Sequence, residues 1–287
     1  MKISKFLISL LLIGGCCGGC FRSSSLISGP GAVLYGDDNR ADIFQVKNTC
    51  VLKNASAVAS SWDDYKIKDN GDGTSTLKVT DFKSAYRLSP KEPFGSQPIG
   101  AHCTSFLVAP DILVTAGHCL NKNDFKTKKF VFGFRMKCCA TAVTTVNNSQ
   151  IYSAKEIIAH QLNTTGMDYA VIRLDRKVKL VTPLKMASQD AKAGDWLYVL
   201  GHPCGLPLKF ANQARVISSY SSIYFTATLD TYGGNSGSPV FNTNHEVVGI
   251  LVRGETDFVS TSSGRVSRQG KNGESVTKVS NWKGFVK

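Results

Sequence analysis

From about residue 100 onward the chain alternates short apolar runs with turn residues: TSFLV, ILVTA, KFVFGF, TAVTTV, DYAVIRL, DWLYVL, ARVIS, SIYFTA, SPVF and EVVGILV. The runs are rich in β-branched and aromatic residues, and Gly, Pro, Asn and Asp break them at short intervals. A series of this kind predicts an all-β barrel or sandwich rather than a parallel sheet alternating with helices. The length suits two barrels, and no fixed-period repeat marks off the halves. One segment, SAKEIIAHQL, fits a helix or a strand equally well and stays open.

Upstream, WDDYKIKDNGDGTSTLKV reads as two short strands around the turn DNGDG. The turn is acidic but lacks the ligand series and closing glutamate of a calcium loop, so a hairpin turn is the simpler reading. Pro90, Pro93 and Pro98, with Gly95 and Gly100, then punctuate the chain and place the main boundary near residue 94. Residues 94–257 form the predicted core domain. Residues 16–93 are a spacer, rich in Ser and Gly over 21–36, followed by a propeptide or accessory region. Residues 258–287 are a tail that either packs on the barrels or is trimmed.

The amino terminus places the chain outside the cytoplasm. Lys2 and Lys5 precede the apolar run FLISLLLI, a charged start followed by a stretch too short to remain as a membrane span. Residues 1–15 read as an export signal. Ile13, Gly14, Gly15 and Cys16 resemble a bacterial lipobox, which would lipidate Cys16 and tether the protein to a membrane. The destination is therefore secretion, the periplasm or a lipid-anchored cell surface.

Nine cysteines then take on meaning. Cys16, Cys17 and Cys20 belong to the leader or its edge, leaving Cys50, Cys103, Cys119, Cys138, Cys139 and Cys204, an even count that favours disulfides in an exported chain. The adjacent pair Cys138 and Cys139 fits no usual zinc spacing, and no metal or other cofactor is expected. The formal charge of +13 would suit an acidic partner. Yet the basic residues are scattered, and the densest group, Lys122, Lys126, Lys128, Lys129, Arg135 and Lys137, reads as a solvated loop and strand edge, so no specific nucleic acid is expected. The chain is expected to act as a monomer.

Candidate chemistry begins with CTSFLVAPDILVTAGHC at 103–119. A tight hairpin centred on Asp111 would set Cys103 opposite Cys119, close enough to bridge and to pin the strand end carrying His118. TAGHC after a strand, with a cysteine upstream, resembles the histidine motif of trypsin-like serine proteases. GMDYAVIRLD, with Asp168 leading an alternating strand, resembles the aspartate motif of that family, and Asp175 sits at the wrong end of the strand to compete. GGNSGSP resembles the nucleophile motif in the form found among bacterial relatives of the staphylococcal glutamyl endopeptidase, and GHPCGLP at 201–207 is a further family-like segment. The resemblance covers about residues 94–257, and the order His118, Asp168, Ser236 is the trypsin-like order. It implies an all-β fold of two six-stranded antiparallel β-barrels with a small N-terminal extension, and peptide-bond hydrolysis of a protein or peptide substrate through an acyl-enzyme, with the N–H groups of Gly234 and Ser236 forming an oxyanion hole. His102, His160, His202 and His245 read as core or surface residues.

Specificity is less determined. The residue six before the nucleophile, Asp230, falls where the family places the base of the S1 pocket, and an acid there would favour Lys or Arg. Arg253, in the wall segment GILVRG, stands ready to neutralise it internally. Thr231 is a further wall candidate. Leu251 stands where glutamate-specific relatives carry histidine, which argues against strict glutamate specificity. Asn235 replaces the aspartate that pairs with a new amino terminus in the pancreatic enzymes, and no IVGG-like activation sequence is present. The competing reading from a different class is a catalytically weak, cationic surface-binding protein on a protease fold.

Overall fold

The computed structural model describes residues 34–286. The export signal, the lipobox and Cys16, Cys17 and Cys20 lie outside the described residues. Among those described, no helix is long and apolar enough to cross a membrane.

Twelve strands form the two barrels. In chain order they are β1 (Val58–Asp63), β2 (Cys103–Ala109), β3 (Ile112–Thr115), β4 (Lys128–Phe132), β5 (Ile151–Leu162), β6 (Asp168–Leu174), β7 (Trp196–Gly201), β8 (Lys209–Ser218), β9 (Tyr224–Ala227), β10 (Pro239–Phe241), β11 (Val247–Arg253) and β12 (Glu274–Lys278). The first barrel closes in the order β1-β2-β3-β6-β5-β4, and the second in the order β7-β8-β9-β12-β11-β10, the ring completed by pairing of β8 with β9. The two orders are the same once six is subtracted from the second. The halves therefore repeat in topology although no sequence period announces it. Full closure removes the exposed edges that an open sheet would carry.

Burial explains the apolar runs. β6 and β11 are buried at nearly every position, not at alternate ones, because one face fills a barrel and the other packs against neighbouring elements. One continuous core cluster runs through both barrels. The ambiguous SAKEIIAHQL lies within β5 and is strand, with register shifts between Ala154 and Glu156 and between Ile157 and Ala159. Each bulge inserts an extra residue, and this breaks the period of two that would have identified the strand.

Strands from both sides of residues 94–257 complete the barrels. β1 pairs with β2 and β4, so the region before residue 94 supplies a strand without which the first barrel cannot close. It is reached through a short helix, Thr49–Ser56, capped by the Asn48 side chain accepting from the Cys50 and Val51 amides. Even the expected spacer is engaged: Leu34 bridges to Gln269, and Ala41–Asp42 pairs with β8. At the other end, β12 closes the second barrel, and the chain then returns to the first. Trp282 is fully buried there, edge-on to Phe106 at 5.8 Å. The tail is thus a clasp between barrels.

The hairpin Ile67–Asp69 and Thr74–Leu77 forms as expected. Its acids serve the turn, Asp69 accepting the Gly71 amide and Asp72 the Thr74 amide, each at 2.9 Å. Of the cysteines outside the leader, Cys103 and Cys119 form a disulfide, whereas Cys50, Cys138 and Cys204 carry none, contrary to the expectation from the even count.

Trp282→Ala empties a fully buried site between barrels and is expected to cost about 3–5 kcal/mol, read from urea unfolding monitored by circular dichroism. A stability within 1 kcal/mol of wild type, by this mechanism, would show that the clasp is dispensable.

Candidate active site

The site lies where the barrels meet. From the first barrel, β3 ends at Thr115 and the chain enters a tight 3₁₀ turn, Gly117–Cys119, carrying His118. Gly117 is needed there because a Cβ would strike the backbone of Gln161 and Tyr169 on β5 and β6. That close approach sets His118 beside Asp168, the first residue of β6. The His118 Nδ1 is 2.8 Å from Asp168 Oδ2, and the His118 amide donates to Asp168 Oδ1 at 3.1 Å. Both carboxylate oxygens are engaged by one residue, which holds the ring with its Nδ1 proton toward Asp168 and leaves Nε2 as the acceptor. Asp168 is buried while His118 is exposed.

The disulfide forms, but not by the expected geometry. The hairpin pairs Phe106 with Val114 and shifts register between Leu107 and Ala109, so Cys119 is not opposite Cys103 on a strand. It comes round on the 3₁₀ turn to a Cα separation of 6.2 Å, within bridging range. His160 braces the same turn, its Nε2–H donating to the carbonyls of Gly117 and Leu120 at 2.9 and 3.0 Å. Sequence reading placed His160 among ordinary core or surface residues, and nothing local to β5 signals its role.

From the second barrel comes the loop 233–238. Gly234 and Gly237 both adopt φ of +88°, a left-handed conformation that favours glycine. A Cβ on Gly237 would collide with Thr104 O and Thr115 Oγ1, so this glycine lets the loop of one barrel lie directly on the strands of the other. Thr104 fastens the contact. Its amide donates to Ser236 O at 2.9 Å, its hydroxyl donates to Gly234 O at 3.1 Å, and the same hydroxyl accepts the His202 amide at 3.0 Å. Ser236 O also lies 3.6 Å from Cys119 Sγ, next to His118. Within the loop, the Asn235 amide donates to Tyr232 O and the Ser238 amide to Asn235 O. The amides of Gly234 and Ser236 have no backbone acceptor among the described hydrogen bonds.

A cavity of about 180 Å³ opens beside Ser236, with Thr231, Leu251, Arg253, Asp257 and Glu274 in its lining. Asp230 does not line it. The Asp230 carboxylate is buried against the N-terminal segment, accepting the Tyr35 amide at 2.8 Å and the Asn39 amide at 3.3 Å. Burial pushes its pKa up to about 6, against the pull of those two amides. The expected pair between Asp230 and Arg253 does not form, since Arg253 donates instead to Gly166 O at 2.6 Å. Asp230 is therefore an anchor for the segment that wraps the pocket loop. Arg40 in that segment reaches the Tyr232 hydroxyl at 2.7 Å.

His202 is wholly buried, stacked on Phe134 with its Nδ1 2.9 Å from Leu206 O, and burial holds it neutral with a pKa near 3. His245 bonds the Tyr198 hydroxyl, and Asp175 accepts the Ser153 amide, both away from the site. Among the described residues the one cluster of three metal-type side chains is Cys103, His118 and Cys119, in which the disulfide consumes both sulfurs as thiolate donors.

A sequence profile of the trypsin-like peptidase domain matches residues 103–250. A protein of Bacillus subtilis strain 168 named extracellular metalloprotease is 26% identical over 186 residues, covering 62% of this chain and 58% of that protein, so the chain spans less than two thirds of that relative's length. Among solved structures, a Glu endopeptidase in complex with MPD aligns with a TM-score of 0.51 at 19% identity, over 88% of this chain and 97% of the other. Neuropsin, a serine protease expressed in the limbic system of mouse brain, aligns at 0.50 and 18% identity, over 65% and 87%. These structural likenesses concern the fold.

Gly237→Ala is expected to cost roughly 2–3 kcal/mol, because the new methyl group meets the Thr104 carbonyl and the Thr115 hydroxyl of the facing barrel at a left-handed residue. Gly233→Ala, which would meet only a side-chain oxygen of Asp257, should change stability by no more than about 0.5 kcal/mol. Urea midpoints of the two variants compare them directly. Equal losses would remove the barrel contact as the reason for Gly237.

Proposed function

We propose that this chain, which belongs to the trypsin-like peptidase family, is a serine-type endopeptidase acting on protein or peptide substrates outside the cytoplasm. The observation that carries the reading is the double engagement of Asp168 by His118 in a turn packed against the loop that holds Ser236. A serine hydroxyl is a poor nucleophile at neutral pH, so attack on a carbonyl needs a base at hand. Nε2 of His118 takes the Ser236 proton as the serine oxygen bonds the carbonyl carbon, and Asp168 stabilises the imidazolium that results. The amides of Gly234 and Ser236 receive the oxyanion. His118 then gives its proton to the leaving amine, and water cleaves the acyl-enzyme by the same path in reverse.

Export is supported by the charged, apolar leader at residues 1–15 and by the Cys103–Cys119 disulfide, a bond that persists in oxidising compartments. Lipidation at Cys16 would keep the enzyme at the membrane surface. The working domain spans residues 34–286, because strands and anchors from both ends complete the barrels and the pocket. Activation through removal of residues up to 93 is not compatible with that arrangement, since β1 would be lost. A second reading, a surface-binding protein on a peptidase fold, has the +13 charge in its favour. It predicts retention on an anionic matrix without labelling of the folded protein by a serine-directed probe.

Ser236→Ala is expected to abolish both peptide hydrolysis and labelling by a fluorophosphonate, and undiminished labelling of that variant would refute the assignment. Asp168→Asn should lower kcat by roughly 10³–10⁴-fold while circular dichroism stays native, because the amide favours the wrong imidazole tautomer. Treatment with a chelator is expected to leave fluorophosphonate labelling intact.

A further inference from the structure

The cavity beside Ser236 is acidic in a molecule that is otherwise strongly cationic. Glu274, Asp257 and Glu255 contribute to its lining, against Arg253 as the one basic residue there. The Arg253 guanidinium is turned to the Gly166 carbonyl. Glu274, the first residue of β12, is 3% exposed and forms no ion pair among the described residues. Its carboxylate accepts the Thr231 hydroxyl at 3.0 Å, with the Glu255 amide and the Tyr35 hydroxyl at 3.4 Å. Gly254 lets the chain lie close against it, since a Cβ there would run into the carboxylate oxygens.

A buried carboxylate with neutral hydrogen bonds and no cation costs free energy unless a positive charge arrives to pair with it. Packing alone would be better served by an apolar residue. We infer that Glu274 is the specificity-determining acid of this pocket, receiving the ammonium or guanidinium head of a Lys or Arg side chain at the residue preceding the cleaved bond. The inference rests on the peptidase reading and deepens it. It replaces Asp230, which the N-terminal segment has already engaged, as the acid facing the substrate.

Burial, with Asp257 nearby, lifts the empty-pocket pKa of Glu274 to about 7, and the Thr231 hydroxyl, Glu255 amide and Tyr35 hydroxyl pull it down. The charged and titratable groups around it are Tyr35 on the N-terminal segment, Arg253 at the end of β11, and Glu255 and Asp257 on the loop that follows. Protonated Glu274 is neutral and attracts no cation, so preference for a basic residue strengthens as pH rises through 7. The ratio of two substrates on one enzyme cancels any pH dependence that both share.

The test uses the full chain and peptides identical but for Arg, Lys, citrulline, norleucine or Glu before the cleaved bond. Arg is expected to exceed citrulline in kcat/KM by about 10²-fold at pH 8, with the ratio falling toward pH 5.5. Glu274→Gln, which keeps the hydrogen bonds and removes the charge, should bring the ratio close to one and flatten its pH dependence, and Glu274→Asp should restore part of it. Binding of n-butylguanidinium to Ser236→Ala by calorimetry, lost on adding Glu274→Gln, tests the pocket without turnover. A labelled, active enzyme that favours Glu or norleucine, or a preference for Arg that survives in Glu274→Gln, overturns the inference and leaves the peptidase reading standing. Guanidinium binding that depends on Glu274, in a protein no fluorophosphonate labels, supports the pocket and overturns the peptidase reading.

Discussion

Thr104 is the point on which the two barrels agree. Fully buried, it gives its amide to Ser236 O and its hydroxyl to Gly234 O, while the hydroxyl takes the His202 amide and its carbonyl accepts Thr115 Oγ1. Three of these bonds cross from the first barrel to segments of the second. The fourth ties β2 to the end of β3, immediately before the turn that carries His118. A displacement of Ser236 relative to His118 therefore requires breaking hydrogen bonds that water cannot replace at a buried site. Proton transfer as proposed tolerates little positional error, so the interior bonds of one threonine would set the precision with which Ser236 and His118 face each other.

That constraint explains which parts of the site were legible in the sequence. TAGHC, GMDYAVIRLD and GGNSGSP are local arrangements, each a strand end or turn with its candidate residue and a glycine inside a few positions. The contribution of Thr104 is to contacts across 130 residues of chain, and no local pattern reports a partner that distant. His160 is hidden for the same reason, compounded by the bulges of β5. The twelve-strand architecture could be anticipated from the apolar runs. Its first and last strands could not, because β1 and β12 lie outside the stretch that carries the motifs. WDDY reads as the lead-in to a hairpin, and ESVTK sits in a polar tail, yet each closes a barrel.

The misplaced acid has a similar origin. Counting back from Ser236 gives Asp230 the position of a pocket base, and its burial and raised pKa agree with a functional acid. Only the path of residues 34–42 shows that its two oxygens are already taken by backbone amides. The same segment brings Arg40 to Tyr232 and Asp42 to Lys209, the latter at 2.6 Å in a buried cluster with Gln97. The N-terminal segment thus shapes the pocket loop from behind, and Glu274, one of three acids that line the cavity, comes from β12 at the opposite end of the chain.

Buried ionisable groups of opposite kinds leave a mark on the molecule's response to pH. Asp230 and Glu274 have folded pKa values near 6 and 7, above those of the unfolded chain, so ionisation opposes folding and their contribution declines as pH rises through that range. His202 and His102, held near 3 and 4 by burial, have values below the unfolded one, so their contribution declines as pH falls below about 6.5. Between about pH 4 and 6.5 the two effects run in opposite directions and largely offset. Above that window only Glu274 continues to weaken it, until its ionisation is complete above about pH 7, and a cation bound at Glu274 removes part of that penalty, which couples occupation of the pocket to the stability of the second barrel.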